Sequence, residues 1–378
     1  RRMIAIERVE TSRQLKTFIN LDLALYRDHP LYAPPVRYDV GKRLRKWTRH
    51  RTDGKIPRHE AALYLAHKDG RVVGRISASV DQTKNDHDGE SSGAFGFLEG
   101  VSDPGVFAAL FVAAESWLRE RGARRVLGPY SFIQEDPYVG LLVEGFDEPP
   151  TFGMTYSLPW YPAMVEAAGY RGVMDLRSYF VPSNALPPKI LERVQPLLSR
   201  ADVNVREIDM RHVWDEAKLL RNVFNAALRG NWEFVPFPDE QVQAMVEELR
   251  LIADPRVILI AEVDGKTAGA VINIPDYNDV LRQTRGTLFP TGLVRLLLAK
   301  GNRTRLRPYA LGVLEPYRGM GIGALLVYET FKRGTVAGYQ QAEVTWVLGN
   351  NAPMNDLALA FAEPRGKMHR IYEKRLDA

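Results

Sequence analysis

The chain has 378 residues, 45% hydrophobic and 26% charged, which are the proportions of a folded protein and not of a disordered one. It has no cysteine, which excludes disulfides, thiolate nucleophiles and cysteine-ligated metals, and its seven histidines show no paired metal-ligand spacing, so no metal site is expected. The net charge of +5 is modest, and the length implies about two domains of roughly 150 residues each.

In chain order, residues 3–9 read as a strand and 11–27 as a helix capped by Thr11 or Ser12. The run 41–51, GKRLRKWTRHR, places six Lys or Arg within ten residues, interleaved with Leu44 and Trp47. It is either a solvated loop or a patch that attracts phosphate, anionic headgroups or an acidic protein. No nucleic-acid motif accompanies it, so nucleic acid is not an expected partner. Residues 61–81 form a hairpin with Asp69-Gly70 at its positive-φ turn, and 93–100 form another strand. The helix 103–122 follows, with Asp103 as cap, Pro104 at its first position and Gly122 past its end; 124–132 closes the series as a strand.

The second half repeats this order. A strand at 201–209, helices near 212–229 and 238–253, and a hairpin 256–274 turning at Asp264-Gly265 come first. A strand at 307–315, a helix at about 321–338 and a strand at 342–348 follow. The turn-rich stretch 181–188 is the expected linker, dividing the chain into domains 1–183 and 184–378. Hairpin, strand, helix and strand in this order imply an α/β fold (α+β, mixed sheet) duplicated in tandem. The second half also carries an insertion, 276–306, in which 288–301 has an apolar face flanked by Arg285, Arg295, Lys300, Arg303 and Arg305. An interfacial helix has this pattern, and so does a helix packed on a sheet. No apolar run reaches the ~18–20 residues of a membrane span. The first residues, RRMIAIERVE, lack the apolar core of a secretion signal. The expected location is the cytoplasm, free or at the inner face of the membrane.

The stretch 311–334, LGVLEPYRGMGIGALLVYETFKRG, carries the chemistry. A Walker loop needs Lys and then Ser or Thr after its last glycine, where Ala324-Leu325 stands. Gly319, Gly321 and Ala324 match G-x-G-x-x-A, but Pro316-Tyr317-Arg318 separates them from the strand, and the next strand ends in Gly-Asn-Asn instead of an acid. The remaining pattern, Arg318-Gly319-Met320-Gly321-Ile322-Gly323, is R-x-x-G-x-G opening a helix. Glycine-permitted turns there aim several N–H groups at one point, and those donors and the helix dipole together hold a diphosphate. Arg318 adds a charge-assisted contact.

This segment resembles the acyl-coenzyme A signature of the GCN5-related N-acetyltransferase (GNAT) superfamily. The resemblance implies two tandem GNAT-like domains, the first degenerate because 99–105 keeps only Gly100 and Gly105 and has Pro104 at the helix start. It implies acyl-coenzyme A as co-substrate, with no tightly bound cofactor. Arg318, Gly319, Met320, Gly321, Ile322, Gly323 and Ala324 would hold the diphosphate. Leu311 to Val313 would hold the pantetheine arm across a splay between strands, with the thioester near 311–315, and Asn351 is a further carrier contact. For the amine's proton the candidates are Glu315, then Asp276 and Asp279. The family's N-x-x-A-x-x-x-Y tyrosine is missing, since Ala358 or Ala362 stands at its place. Tyr317, Tyr328 and Tyr372 are the alternatives for the leaving thiol. Trp232, Phe234, Phe237 and Trp346 are candidate acceptor contacts.

Over most of its length the chain is similar to a bacterial family that includes the ceramide synthases, carried by RGNWEFVPFPDEQ (229–241), the glycine stretch and the closing NNAPMN…RIYEKRL. That similarity implies fatty acyl transfer from coenzyme A or an acyl carrier protein to a sphingoid base, with peripheral membrane contact. A small soluble amine, a protein lysine, or a non-catalytic acyl-coenzyme A sensor remain alternatives.

Overall fold

The computed structural model describes residues 3–49, 58–132, 137–182, 186–288, 292, 294, 304–363 and 367–376. Its chain divides into two compact units: Arg1–Leu176 with Asn278–Leu297 and Lys367–Ala378, and Arg177–Tyr277 with Leu298–Gly366. The segments 278–297 and 367–378, assigned from sequence to the second domain, thus lie in the first unit.

In the first unit, β1 (Ala5–Arg8) leads to α1 (Ser12–Leu25), which starts in a capping box. The Thr11 hydroxyl accepts from the Gln14 N–H while the Gln14 side chain accepts from the Thr11 N–H. Helix α2 (Arg37–Thr48) occupies most of the basic run 41–51. Val40, Leu44 and Trp47 recur at helical spacing and are buried, so this stretch is a packed helix and not a solvated loop; His50 and Arg51 lie outside the described residues. The hairpin β2 (His59–Lys68) and β3 (Arg71–Asp81) turns at Asp69 and Gly70, with φ of +52° and +73°. After α3 (Gln82–Asp88) and β4 (Ser92–Gly100), α4 (Pro104–Arg119) buries Val106, Phe107, Leu110, Phe111, Ala114, Trp117 and Leu118, one continuous stripe. Each buried Val, Leu or Phe among them contributes about 1.5–3 kcal/mol.

Strand β5 is only Arg125–Gly128, shorter than the expected 124–132, because the chain bends away at Gly128-Pro129. Strand β6 (Leu141–Glu144), α5 (Tyr161–Ala167) and β7 (Arg171–Pro182) follow. The unit's sheet runs β1-β2-β3-β4-β5 and then the C-terminal strand Met368–Arg375, antiparallel except for the parallel β4-β5 pair.

The second unit takes the end of β7 from Arg177, α6 (Pro188–Leu198), β8 (Val203–Glu207), α7 (Val213–Ala227) and α8 (Val242–Ile252). The expected linker is therefore the end of a strand and the approach to a helix. The hairpin β9 (Ile258–Val263) and β10 (Lys266–Pro275) turns at Asp264 and Gly265, with φ of +52° and +70°. Helix α9 (Asn278–Thr284) belongs to the first unit. The apolar stretch 288–301 falls almost wholly outside the described residues. The second unit then resumes with β11 (Arg305–Val313), α10 (Ile322–Val336), β12 (Gln341–Leu348) and α11 (Ala352–Leu359), and β13 (Met368–Arg375) returns to the first.

Strands β8 to β11 are antiparallel in order 8-9-10-11, and β12 lies parallel beside β11. Alternation divides the sheet's faces: Ile258 and Ile260 pack under α7 and α8, while Leu259 and Ala261 pack under α10. Three layers result, with β11 in the middle of the sheet.

Candidate functional site

The chain leaves β11 through a single tight turn, Glu315–Tyr317, and reaches α10 through two residues of positive φ, Gly319 at +79° and Gly321 at +89°. Gly321 is the N-cap of α10 and has no side chain to cap it. The first helical bond runs from the Leu325 N–H to the Gly321 carbonyl at 2.9 Å, so the N–H groups of Ile322, Gly323 and Ala324 precede it and point along the helix axis. No acidic residue lies in this first turn. The result is an anion cradle of donors and dipole. Gly323 has ordinary helical φ; a Cβ there would point at Leu357, Val313 and Leu311, 3.6 to 3.8 Å away. Its bare face thus looks into the gap beside β11. Arg318 is exposed and donates to the Ala227 carbonyl at 3.0 Å and more weakly to that of Val313 at 3.4 Å, fastening the turn to the ends of α7 and β11.

That gap is a property of strand pairing. Parallel pairing of β11 with β12 is confined to Arg305 opposite Gln341 and Leu306 opposite Ala342. Beyond Leu306 the two strands part. The thioester expected near 311–315 therefore falls toward the mouth of the splay, whose head lies near Leu306. On its other edge β11 remains paired with β10, interrupted by a bulge: Ile272 faces Ala310 and Asn273 faces Pro308, leaving Tyr309 as the extra residue. Bulges re-aim a side chain, and Tyr309 is 40% exposed, with the Arg307 guanidinium 5.1 Å from its ring centre. Arg307 is buried and its Nε donates to the Thr345 carbonyl at 3.2 Å, crossing from β11 to β12 where the ladder has ended. Glu343, one residue past the last paired position of β12, is buried as well.

These three residues escaped the sequence reading. A signal was available: Arg307 and Glu343 are charges inside two strands otherwise rich in apolar residues, and a buried charge in such a place requires a partner or a task.

At the far end of β12, Asn351 caps α11 by accepting from the Met354 N–H at 3.2 Å. Asn355 is buried and donates to the Leu348 and Asn351 carbonyls at 2.9 and 2.8 Å, and its own side-chain oxygen accepts from the Tyr179 hydroxyl. Tyr179 packs in one cluster with Ala358 and Ala362, the two positions at which the family's tyrosine would stand. A tyrosine therefore reaches this place from β7. Among the alternatives considered from sequence, Tyr317 packs with Met320 on the core under α10, and Tyr328 packs with α6. Tyr372 belongs to the first unit and is buried, with its hydroxyl pushed up to about 12 by burial and the Glu166 carboxylate.

Glu315 is exposed in the glycine-cradle turn, nine residues and about 30 Å of extended chain beyond Leu306. Asp276 sits at the opposite end of β11, its N–H on the Arg305 carbonyl at 3.0 Å and its carboxylate 3.8 Å from the Arg305 guanidinium. Asp279 is exposed, paired with Arg282, and belongs to the first unit. Trp232, Phe234 and Phe237 are half-buried in the α7–α8 connection, Phe234 and Phe237 meeting edge to face at 5.7 Å. Asn225 pins this loop by bonding both the N–H and the carbonyl of Phe237, and Arg221 donates to the same carbonyl. Trp346 is half-buried on β12.

The first unit keeps the plan and closes it. Asp103 accepts from the Gly105 N–H at 2.8 Å and pairs with Lys68 at 2.6 Å, so a carboxylate occupies the helix start that would otherwise take an anion. The Tyr130 N–H bonds the Phe95 carbonyl at 2.9 Å, and a Cβ on Gly96 would lie 1.6 Å from the Tyr130 oxygen. No arm fits between β4 and the chain after β5. The bulge survives, at Phe97 (φ +47°), but its ring joins Phe18 and Phe132 in the core.

No family model matches the sequence. Protein YghO of Escherichia coli (strain K12) is 32% identical over 377 residues, covering 96% of this chain and 93% of that protein. Bacterial ceramide synthase of Caulobacter vibrioides is 32% identical over 384 residues, covering 97% and 96%. Among solved structures, a tandem GNAT protein from the clavulanic acid biosynthesis pathway superposes with a TM-score of 0.58 at 13% identity, over 100% of this chain and 99% of that one. The two curated relatives span nearly all of the chain, and the superposition gives the fold of both units: the chain belongs to the tandem-GNAT family of N-acyltransferases that contains YghO and the bacterial ceramide synthase.

Proposed function

We propose that the second unit binds an acyl-coenzyme A and passes its acyl group to the primary amine of a long-chain, sphingoid-type amino alcohol. The observation that carries this reading is the glycine cradle at the start of α10 opening onto a strand whose edge is unpaired past Leu306. The diphosphate would rest on the N–H groups of Ile322, Gly323 and Ala324, with Met320 and Arg318 shaping the turn. The arm would lie along Leu311 to Val313, adding a strand to the free edge of β11, and pass Asn351. The name of the Caulobacter relative and the aromatic loop Trp232, Phe234 and Phe237 favour a lipid acceptor.

Acyl transfer needs a free amine, a polarised carbonyl and a protonated leaving thiol. We assign the amine's proton to the Glu343 end of the splay, with Asp276 behind it, and Tyr309 as the group that meets the acceptor. Glu315 remains the candidate of the diphosphate end. Tyr179, held on Asn355, is our donor for the thiolate: once the amine, its ammonium proton given to the Glu343 end, has bonded through nitrogen to the carbonyl carbon, the C–S bond breaks, the tyrosine O–H proton moves to sulfur, and the tyrosinate recovers the N–H⁺ proton that the adduct sheds as it becomes the amide.

Purified protein incubated with mixed acyl-coenzyme A thioesters, an acyl carrier protein thioester and a sphingoid base, followed by mass spectrometry, tests the reading. Long-chain N-acyl product supports it. Product from acetyl-coenzyme A and soluble amines alone would favour a small-molecule or lysine acetyltransferase, and tight binding without turnover would favour a sensor.

A further inference from the structure

Helix α2 turns Val40, Leu44 and Trp47 inward, where Trp47 stacks on Phe132 with ring centres 4.7 Å apart. Its other side presents Tyr38, Lys42, Arg45, Lys46 and Arg49, all exposed, Tyr38 by 71%. Arg37 at the start of the helix, and Arg75, Arg121 and Arg125 elsewhere in this unit, each meet a carboxylate. No carboxylate among the described residues pairs with Arg45, Lys46 or Arg49, and Asp39 is the single acid within the helix. The row spans two turns on one face, so its charges add at a flat surface.

The start of this helix is tied to a second cationic stretch far away in sequence. The Arg37 N–H donates to the Gly286 carbonyl at 2.9 Å, and a Cβ on Gly286 would lie 2.3 Å from the Pro35 oxygen, so glycine permits the approach. Exposed Arg285 precedes it. From there the chain runs on through residues whose sequence, 280–304, holds five Lys or Arg, no Asp or Glu, and the run Leu296-Leu297-Leu298. Cations mixed with leucine and lacking any acid match a bilayer's anionic headgroup layer better than they match an acidic protein.

We propose that the exposed face of α2, with Arg285 beside it, docks on an anionic phospholipid surface. Because the apolar side of α2 is committed to the core, the helix itself binds through charge and not insertion, and the contact weakens with salt. This proposal stands apart from the acyl-transfer reading, since vesicle binding needs no thioester.

The test is sedimentation of the whole protein with vesicles of phosphatidylcholine plus phosphatidylglycerol, against phosphatidylcholine alone, over a salt series. The expected result is binding to the mixed vesicles only, lost at high salt. Each neutralised cation should weaken partitioning about fivefold, so the quadruple variant K42Q/R45Q/K46Q/R49Q should lose on the order of a hundredfold or more. A control set on the second unit, K189Q/K218Q/K266Q/K332Q, should bind like the parent, and unchanged thermal melting checks that both sets fold. The proposal is overturned if the parent ignores anionic vesicles, if the quadruple variant sediments like the parent, or if the parent binds polyglutamate but not vesicles.

Discussion

The Arg318 guanidinium donates to the Ala227 carbonyl, 91 residues away in sequence, and by doing so locks the glycine turn against the last turn of α7. The contact also suits the negative end of that helix. Arg318→Ala should raise the dissociation constant for coenzyme A about five- to tenfold, the equivalent of one charged hydrogen bond at an exposed site. Arg318→Lys should recover only part of this, because lysine lacks the fork that reaches Ala227 and Val313 together. Isothermal titration of the three proteins decides it.

Gly321 and Gly319 share positive φ but differ in surroundings. A Cβ at Gly321 would sit 3.2 Å from Leu197 and 3.4 Å from the Arg193 oxygen, whereas at Gly319 nothing lies within 4 Å. Gly319→Ala should cost about 1–2 kcal/mol from backbone strain alone. Gly321→Val adds crowding at the cradle itself, so coenzyme A binding should fall well beyond what Gly319→Ala causes. Equal losses in the two variants would mean the cradle is elsewhere.

The carboxylates at the two ends of β11 make opposite demands on kinetics. If Glu343 handles the amine's proton, Glu343→Gln should lower kcat about a hundredfold or more with coenzyme A binding intact, and Glu315→Gln should leave kcat within about twofold. The reverse ranking would return the base to the diphosphate end. Tyr179→Phe should lower kcat about tenfold or more with little change in coenzyme A affinity, and unchanged kcat would remove Tyr179 from the chemistry.

In the first unit, Glu99 accepts from the Tyr26 and Tyr161 hydroxyls at 2.9 and 2.7 Å, and 13% of its side chain reaches solvent. Burial pushes its carboxyl up to about 7, against the pull of Arg75. The folded chain therefore binds a proton there that the unfolded chain has already released between the usual carboxylate range and pH 7. Unfolding free energy should fall as pH rises through that window and level off above it, by about 3 kcal/mol at most. Glu99→Gln should flatten that slope in pH-dependent denaturant melts; an unchanged slope would assign it to another group.

Much of the fold was legible because it rests on local rules. Thr11 with Gln14, the turns at Asp69-Gly70 and Asp264-Gly265, and Asp103-Pro104 at α4 each act within a few residues. The glycine cradle is of the same kind: Gly319 and Gly321 need positive φ whatever the rest of the chain does. Other elements had no such local mark. Residues 41–51 fit a solvated loop or a cationic patch by sequence, and only the packing of Leu44 and Trp47 makes the stretch a helix.

What the chain order could not supply was decided by pairing between distant strands. The head of the splay, the bulge at Tyr309, and the meeting of Tyr179 with Asn355 and Ala362 depend on register and on a strand arriving from far earlier in sequence. Sequence by itself determined the superfamily, the glycine turn and the degenerate helix start of the first unit, since each is written in backbone-permissive or capping residues. Tertiary structure alone decided which side chains line the gap, because a hydrogen-bond ladder ends where its neighbours stop fitting, not where a motif does.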